Sequence, residues 1–230
     1  MTTIFIPGPP QIAVSVKKSA RAKRLSLRVS SLDGRVTLSA PNRVSPRKIE
    51  AFVFEKEAWL RQNITRVPAP IKVQIGSEIP VLGRRVFLAK SSTSRILHQE
   101  DQLFVPENRS NPAARVLGYL KTLARDHLTQ KSDFYAGQLG QDYCRLSLRD
   151  TRSRWGSCSQ DRALMFSWRL VMAPQDVLDY VAAHEVAHLE QMNHSKRFWA
   201  VVERLYGDYR PARAWLRDKG AELHRYRFVD

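Results

Sequence analysis

Fourteen residues constrain this chain more than any others: Val181-Ala-Ala-His184-Glu185-Val-Ala-His188-Leu-Glu-Gln-Met-Asn-His194. On an α-helix, residues four apart share a face and lie about 6 Å apart along the axis, so His184 and His188 can aim two imidazoles at one ion. Glu185 falls beside them, placed to take a proton from water rather than to replace a histidine as ligand. A zinc with an open coordination position needs a third protein ligand, and the next histidine is His194. Six residues of unbroken helix would carry His194 about 120° away from the pair, so the helix must end first. Asn193 is the expected left-handed terminator, and Ser195 the expected cap of a new helix beginning at Lys196. With six histidines in 230 residues, chance supplies about 0.007 such H-E-x-x-H matches. An apolar helix carrying two exposed histidines is the competing account, and the third histidine weighs against it.

The length suits one large domain or two small ones. With 43% hydrophobic and 26% charged residues the chain reads as soluble and globular. It has no apolar run long enough for a membrane span, and its start, Met-Thr-Thr-Ile-Phe-Ile-Pro-Gly-Pro-Pro, lacks the charged and apolar regions of a signal peptide. Two cysteines, Cys144 and Cys158, form no C-x-x-C pair and fit a reducing compartment. The expectation is a cytoplasmic protein with no membrane partner. A net charge of +16 favours polyanions or anionic small molecules as partners, against the alternative of a solvated basic surface.

Residues 1–15 are proline-rich and read as an extended arm. A basic cluster follows at Lys17, Lys18, Arg21, Lys23 and Arg24. Leu25–Val29, Asp33-Gly34 and Val36–Leu38 then give a hairpin signal. Ser45-Pro46 opens a helix over about 45–64, whose Phe52, Phe54 and Trp59 read as packing residues more readily than as a platform for bases. Strand-like runs occupy Ile71–Ile75, Ile79–Leu82, Arg85–Ala89 and Leu103–Val105. A long helix is expected from Pro112 to Gly137, and strands at Tyr143–Leu148 and from Met165 through Met172. Between those strands, Arg152–Ser159 reads as a polar turn whose Gly156 permits close backbone approach. The pattern suggests an α+β chain: a β-rich N-terminal subdomain over residues 1–110, then a catalytic domain over 111–230.

His184-Glu-Val-Ala-His188-Leu, followed by Asn193-His194-Ser195 and Phe198-Trp199, has Arg154-Trp155-Gly156-Ser157-Cys158-Ser159 and Trp168-Arg-Leu170 upstream. In these residues the chain resembles the YgjP-like metallopeptidase-domain family, itself similar to the SprT-like and WLM zinc proteases. The resemblance runs from Lys17 to the C-terminal helix and is strongest from Arg152 to Trp199. It implies a zincin-like α+β fold, zinc on His184, His188 and His194, and Glu185 as general base. It also implies that the strand near Met165–Leu170 borders the cleft and accepts an extended peptide by backbone pairing. The metzincins share the histidine spacing but carry glycine where this chain has Gln191, which leaves Asn193 as the candidate for the bend.

Three functions follow as alternatives. In the first, a zinc-dependent hydrolase cleaves a peptide or protein, Glu185 passing a proton from water to the leaving group. Arg154, Tyr206 and Tyr209 are candidates for oxyanion stabilisation, each with a structural role as the alternative. In the second, Lys196 and Arg197, in the first turn of a helix beside His194, recruit an anionic nucleotide, and the same site splits pyrophosphate from a nucleoside triphosphate. In the third, the zinc is structural and the chain is a nucleic-acid-associated binding protein. Trp155 and Cys158 are expected to support their loop, and Glu190 to be a solvated helix residue. The sequence does not specify an oligomeric state.

Overall fold

The structure is a computed structural model that describes residues 2–30, 32–106 and 111–228. It is α+β with several small sheets, in two compact units, Met1–Pro70 and Ile71–Asp230.

The first unit contains β1 (Thr2–Ile6), β2 (Ile12–Lys18), β3 (Ser26–Val29), β4 (Val36–Ala40), α1 (Pro46–Glu55) and α2 (Glu57–Thr65). The sheet order is β1-β2-β4-β3, with β2 and β4 parallel and the outer pairs antiparallel. Strict alternation puts Ile12, Val14 and Val16 of β2 and Val36, Leu38 and Ala40 of β4 on one face, where Ile49, Val53 and Leu60 of the helices cover them. The expected extended arm is therefore an antiparallel pair of strands: Ile4, Ile6, Ile12 and Val14 have the two-residue period of a half-buried sheet, which the prolines of the turn mask. Arg61 pins that turn by donating to the carbonyls of Pro7 and Pro10. The hairpin around Asp33-Gly34 forms as expected, with Gly34 at φ +70°. The single helix expected over 45–64 is two helices, broken at Lys56.

The second unit contains β5 (Ile71–Lys72), β6 (Glu78–Val81), β7 (Arg84–Ser91), β8 (Leu97–Gln99), β9 (Gln102–Pro106), α3 (Pro112–Leu139), β10 (Arg145–Arg149), β11 (Gly156–Cys158) and β12 (Ala163–Ser167). A 3-10 turn (Trp168–Met172), α4 (Gln175–Ala187), α5 (Lys196–Tyr206), α6 (Arg210–Lys219), a second 3-10 turn (Gly220–Arg225) and β13 (Tyr226–Arg227) complete it. The sequence places a boundary near residue 110, and residues 107–110 lie outside those described. The chain divides instead at Pro70–Ile71, for a physical reason. β5 pairs with β13, the Leu82 N–H donates to the Val171 carbonyl, and Ile79, Val81, Val86, Leu88, Leu103 and Val105 share one core with α3 and α4. The β6–β9 sheet thus belongs with the helices that follow it.

Alpha4 is the most buried helix, with apolar side chains on nearly every face of its first three turns. Burial all round is what a chain does with a helix it must hold fixed. From α3, Lys131 makes a 2.7 Å ion pair with Asp179; from α5, the Tyr206 hydroxyl donates to the Asp176 carbonyl at 2.9 Å. The helix start is held by close backbone approach: a Cβ on Gly83 (φ +83°) would lie 3.2 Å from Pro174 Cα.

The run from Met165 to Met172, expected as one strand, is a strand only to Ser167 and then tightens into a 3-10 turn. Arg169 explains the change. It is 5% exposed, with its guanidinium bound to both carboxylate oxygens of Asp150 (2.7 and 3.1 Å) and to the carbonyls of Leu223 and Tyr226, and it stacks on Trp168. Turning the backbone after Ser167 points this side chain at the C-terminal segment. Replacing Arg169 with alanine strands two carbonyls, while the exposed Asp150 carboxylate can turn to water. We expect a loss of about 3 kcal/mol of unfolding free energy in urea titration, with Asp150→Asn losing less.

Candidate metal centre

Alpha4 ends at Ala187, with His188 as its αR cap residue, and the chain turns through Leu189–Gln191 before Ser195 opens α5. The helix thus stops before His194, as the spacing requires, but earlier than expected and without a left-handed Asn193. Asn193 works through its oxygens instead: its carbonyl and its side-chain Oδ1 both accept from the Ser195 N–H, at 2.9 and 3.2 Å. Ser195 in turn accepts from the Phe198 N–H, the cap anticipated from sequence.

This turn brings His184, His188 and His194 together, one nitrogen from each lying within 4.8 Å of the others. Among the described residues no other group of histidines, cysteines and carboxylates converges in this way. The His184 and His194 Nε2 atoms are 3.1 Å apart. His188 Nδ1 donates to the Gln191 carbonyl at 3.0 Å, which fixes its tautomer and leaves Nε2 as the lone-pair nitrogen. Phe198 is the common floor: its ring stacks on His188 at 4.5 Å and meets His184 and His194 at 4.9 and 4.7 Å. Trp199 also flanks His184 and His194, with Tyr209 stacked on it at 4.8 Å and the Arg213 guanidinium over its ring at 4.7 Å.

Glu185 lies against β11. The short sheet has the order β10-β12-β11, with β12 parallel to β10 and antiparallel to β11. Bonds from Ser167 N–H to Trp155 carbonyl and from Ser159 N–H to Ala163 carbonyl set the alternation, so the backbone groups of Gly156 and Cys158 face away from β12. The Cys158 N–H is bonded to the Glu185 carboxylate. Gly156 lies so close that a Cβ there would sit 2.5 Å from Glu185 Cγ. A polar turn was expected here; three of its residues form a strand, legible in sequence only as a glycine. The central place of β12 corrects the expectation that the strand near Met165 receives a peptide, since both its edges are taken. The edge beside the histidines is β11.

A search of curated proteins finds no match. Among solved structures, the crystal structure of the metallopeptidase zymogen of Pyrococcus abyssi abylysin aligns over 45% of this chain and 97% of its own, with 21% identity and a TM-score of 0.35. The family model for the YgjP-like metallopeptidase domain matches residues 23–219. The chain belongs to that family. Family membership makes this a metallopeptidase domain, and the three histidines are the group in it that could hold a divalent ion.

The electrostatics of the family's motif residues suit a cation. Burial pushes the His184 imidazole down to about 3, helped by His188, His194 and Arg213, and burial also lowers His188. Both are neutral near pH 7, the form that donates a lone pair. Glu185 is 5% exposed, and burial raises its carboxyl to about 8 against the opposing pull of Arg154 and the Cys158 N–H. Cys158 is outside the histidine group, and its thiol is pushed up to about 11, first by burial and then by Glu185.

The other candidate residues divide. Arg154 is exposed and within electrostatic reach of Glu185. The Tyr206 hydroxyl is committed to Asp176, two turns back along α4 from the histidines. Tyr209 reaches the centre through Trp199 and through Tyr180, whose ring meets His184, while Lys196 and Arg197 are exposed in the first turn of α5. Glu190 pairs with Arg204 at 2.7 Å, and Trp155 packs against Gly220 and His224. Arg213 and the Phe198 floor were not anticipated: helix periodicity marks an inward aromatic but not what it touches.

Gly156→Ala should displace Glu185, giving a folded protein by circular dichroism with a lower Tm and at least a hundredfold loss of peptidase activity. In metal-free protein, a carboxyl raised from 4.5 to about 8 penalises folding as pH climbs from the unfolded value to the folded one. Glu185→Gln should therefore raise the Tm of metal-free protein at pH 8 but not at pH 4, by scanning calorimetry.

Proposed function

We propose that the chain is a zinc-dependent peptidase in which His184, His188 and His194 hold the ion and Glu185 moves the proton. The observation that carries this reading is the convergence of three imidazoles, with the buried Glu185 carboxyl one residue on from the first of them in the chain. Three nitrogen donors with His188 oriented by a carbonyl fit zinc with one position left open. Zinc so held would polarise a scissile carbonyl and lower the pKa of water beside it. Glu185 takes the proton from the attacking water and returns it to the leaving amine. On the outer edge of β11 the Cys158 N–H is taken by Glu185, and the Gly156 backbone groups are those against which an extended substrate can lie.

A second reading keeps the ion and changes the substrate. Lys196 and Arg197 are exposed beside His194, with no acidic residue in that first turn, so a nucleoside triphosphate could be held there by its phosphates.

Purified protein should contain one zinc per chain by elemental analysis, and Glu185→Gln should retain the metal while losing at least a thousandfold in cleavage of an unfolded protein. If pyrophosphate release from nucleoside triphosphates is the activity lost, and Lys196→Glu/Arg197→Glu also abolishes it, the second reading replaces the first. Zinc with no Glu185-dependent activity on either substrate would mark a structural site and overturn both. Phe198→Ala should retain the fold but weaken zinc affinity about tenfold or more in chelator competition, because the three rings lose their common support.

A further inference from the structure

The first unit carries a feature that the metal centre does not use. Its two helices pack on the face of the sheet formed by Ile6, Ile12, Val14, Val16, Val36 and Leu38. The residues alternating with these, placed together by the strand register, are Thr3 and Phe5 of β1, Ala13, Ser15 and Lys17 of β2, Thr37 and Ser39 of β4, and Ser26 and Arg28 of β3. This opposite face is small and polar apart from one aromatic ring, Phe5, which is 55% exposed, and two cations, Lys17 and Arg28. Among the described residues of that face Phe5 is the one aromatic, with Ala13 as its cross-strand partner.

The charge around the face is one-sided. Residues 1–70 hold thirteen Lys and Arg against four Asp and Glu. The strand ends gather the cations: parallel pairing puts Lys18 beside Ala40, so the exposed Lys17, Lys18, Arg21, Lys23 and Arg24 come to the same end of the sheet as Arg43, Arg47 and Lys48. The Lys18 ammonium touches the Val44 carbonyl across that end. Three of the four acidic residues, Asp33, Glu55 and Glu57, are already paired with Arg35, Lys56 and Arg61. A groove of about 830 Å³ along the β1 edge is lined from both sides of the sheet, by Phe5 and Lys17 of the open face and by Val16, Ile49 and Glu50 of the helix side.

We propose that this open sheet face binds single-stranded nucleic acid, a base stacking on Phe5 and the backbone phosphates running past Lys17 and Arg28 toward the cationic end. A flat polar face with an exposed aromatic and flanking cations offers the two contacts that unpaired strands need, a π surface and a positive track. A duplex hides its base faces and has no use for Phe5, and an anionic membrane offers no ring to stack. This inference is independent of the metal centre, so its failure leaves the peptidase reading intact, and the converse.

The test uses the full-length protein and fluorescein-labelled oligo(dT) and oligo(U) of about 20 nucleotides, followed by anisotropy across a salt series, with a duplex of equal length and phosphatidylserine vesicles alongside. Binding of the single strands should weaken linearly in log–log form with salt. Lys17→Glu/Arg28→Glu should cost at least tenfold and flatten the slope. Phe5→Ala should cost about fivefold or more for single strands and leave duplex binding unchanged. Arg217→Glu/Lys219→Glu, a matched reversal in the second unit, should change little. All variants change exposed side chains, and their Tm values confirm folding. Equal affinity for duplex and single strand with no effect of Phe5→Ala overturns the proposal in favour of bulk charge. Vesicle binding that oligonucleotides do not compete, lost in Lys17→Glu/Arg28→Glu, assigns the face to membranes instead, and absence of oligonucleotide binding at low salt refutes it outright.

Discussion

The place of the one buried carboxyl beside the histidine helix depends on a single contact, the seating of Glu185 beneath β11. A carboxylate taken out of water is costly unless something answers it, and here the answer is a backbone N–H from Cys158 and the charge of Arg154 nearby. The contact requires a strand lying within van der Waals distance of a helix, which only a residue without a Cβ allows. Gly156 supplies that, and the antiparallel register with β12 aims the neighbouring N–H groups toward α4 rather than into the sheet.

The histidines depend on a different kind of support. Alpha4 fixes two of them by being buried on nearly all sides, so its own rotation is decided by packing against α3, α5 and the turn after β12. His194 comes from a separate turn and relies on Phe198, whose ring meets all three imidazoles. Capping by Ser195 fixes where α5 starts, and therefore where Phe198 stands. A local hydrogen bond at a helix end thus sets the geometry of a site assembled from two helices.

The two units use charge differently. In the second, the buried cation Arg169 is consumed structurally, tying Asp150 to two carbonyls of the C-terminal segment. In the first, the cations stay in water on one end and one face of a sheet whose other face is fully packed. A single net charge for the chain hides this division, because it does not say which side chains are already satisfied.

By itself the sequence determined the local frame of the candidate site: the spacing of His184 and His188 on one helical face, the need for a break before His194, the cap at Ser195 and a close approach at Gly156 all follow from helix geometry and from what glycine permits. It also determined α3, whose apolar spacing persists over many turns, and the hairpin at Asp33-Gly34. Tertiary structure decided what depends on partners distant in the chain. The β6–β9 sheet joined the second unit because its apolar face matches α3 and α4, β12 became central because β11 and β10 flank it, and the strand after Ser167 became a 3-10 turn because Arg169 finds its acceptors more than fifty residues on. Local periodicity records which side of an element is apolar, whereas the identity of the neighbour it meets is a property of the folded chain alone.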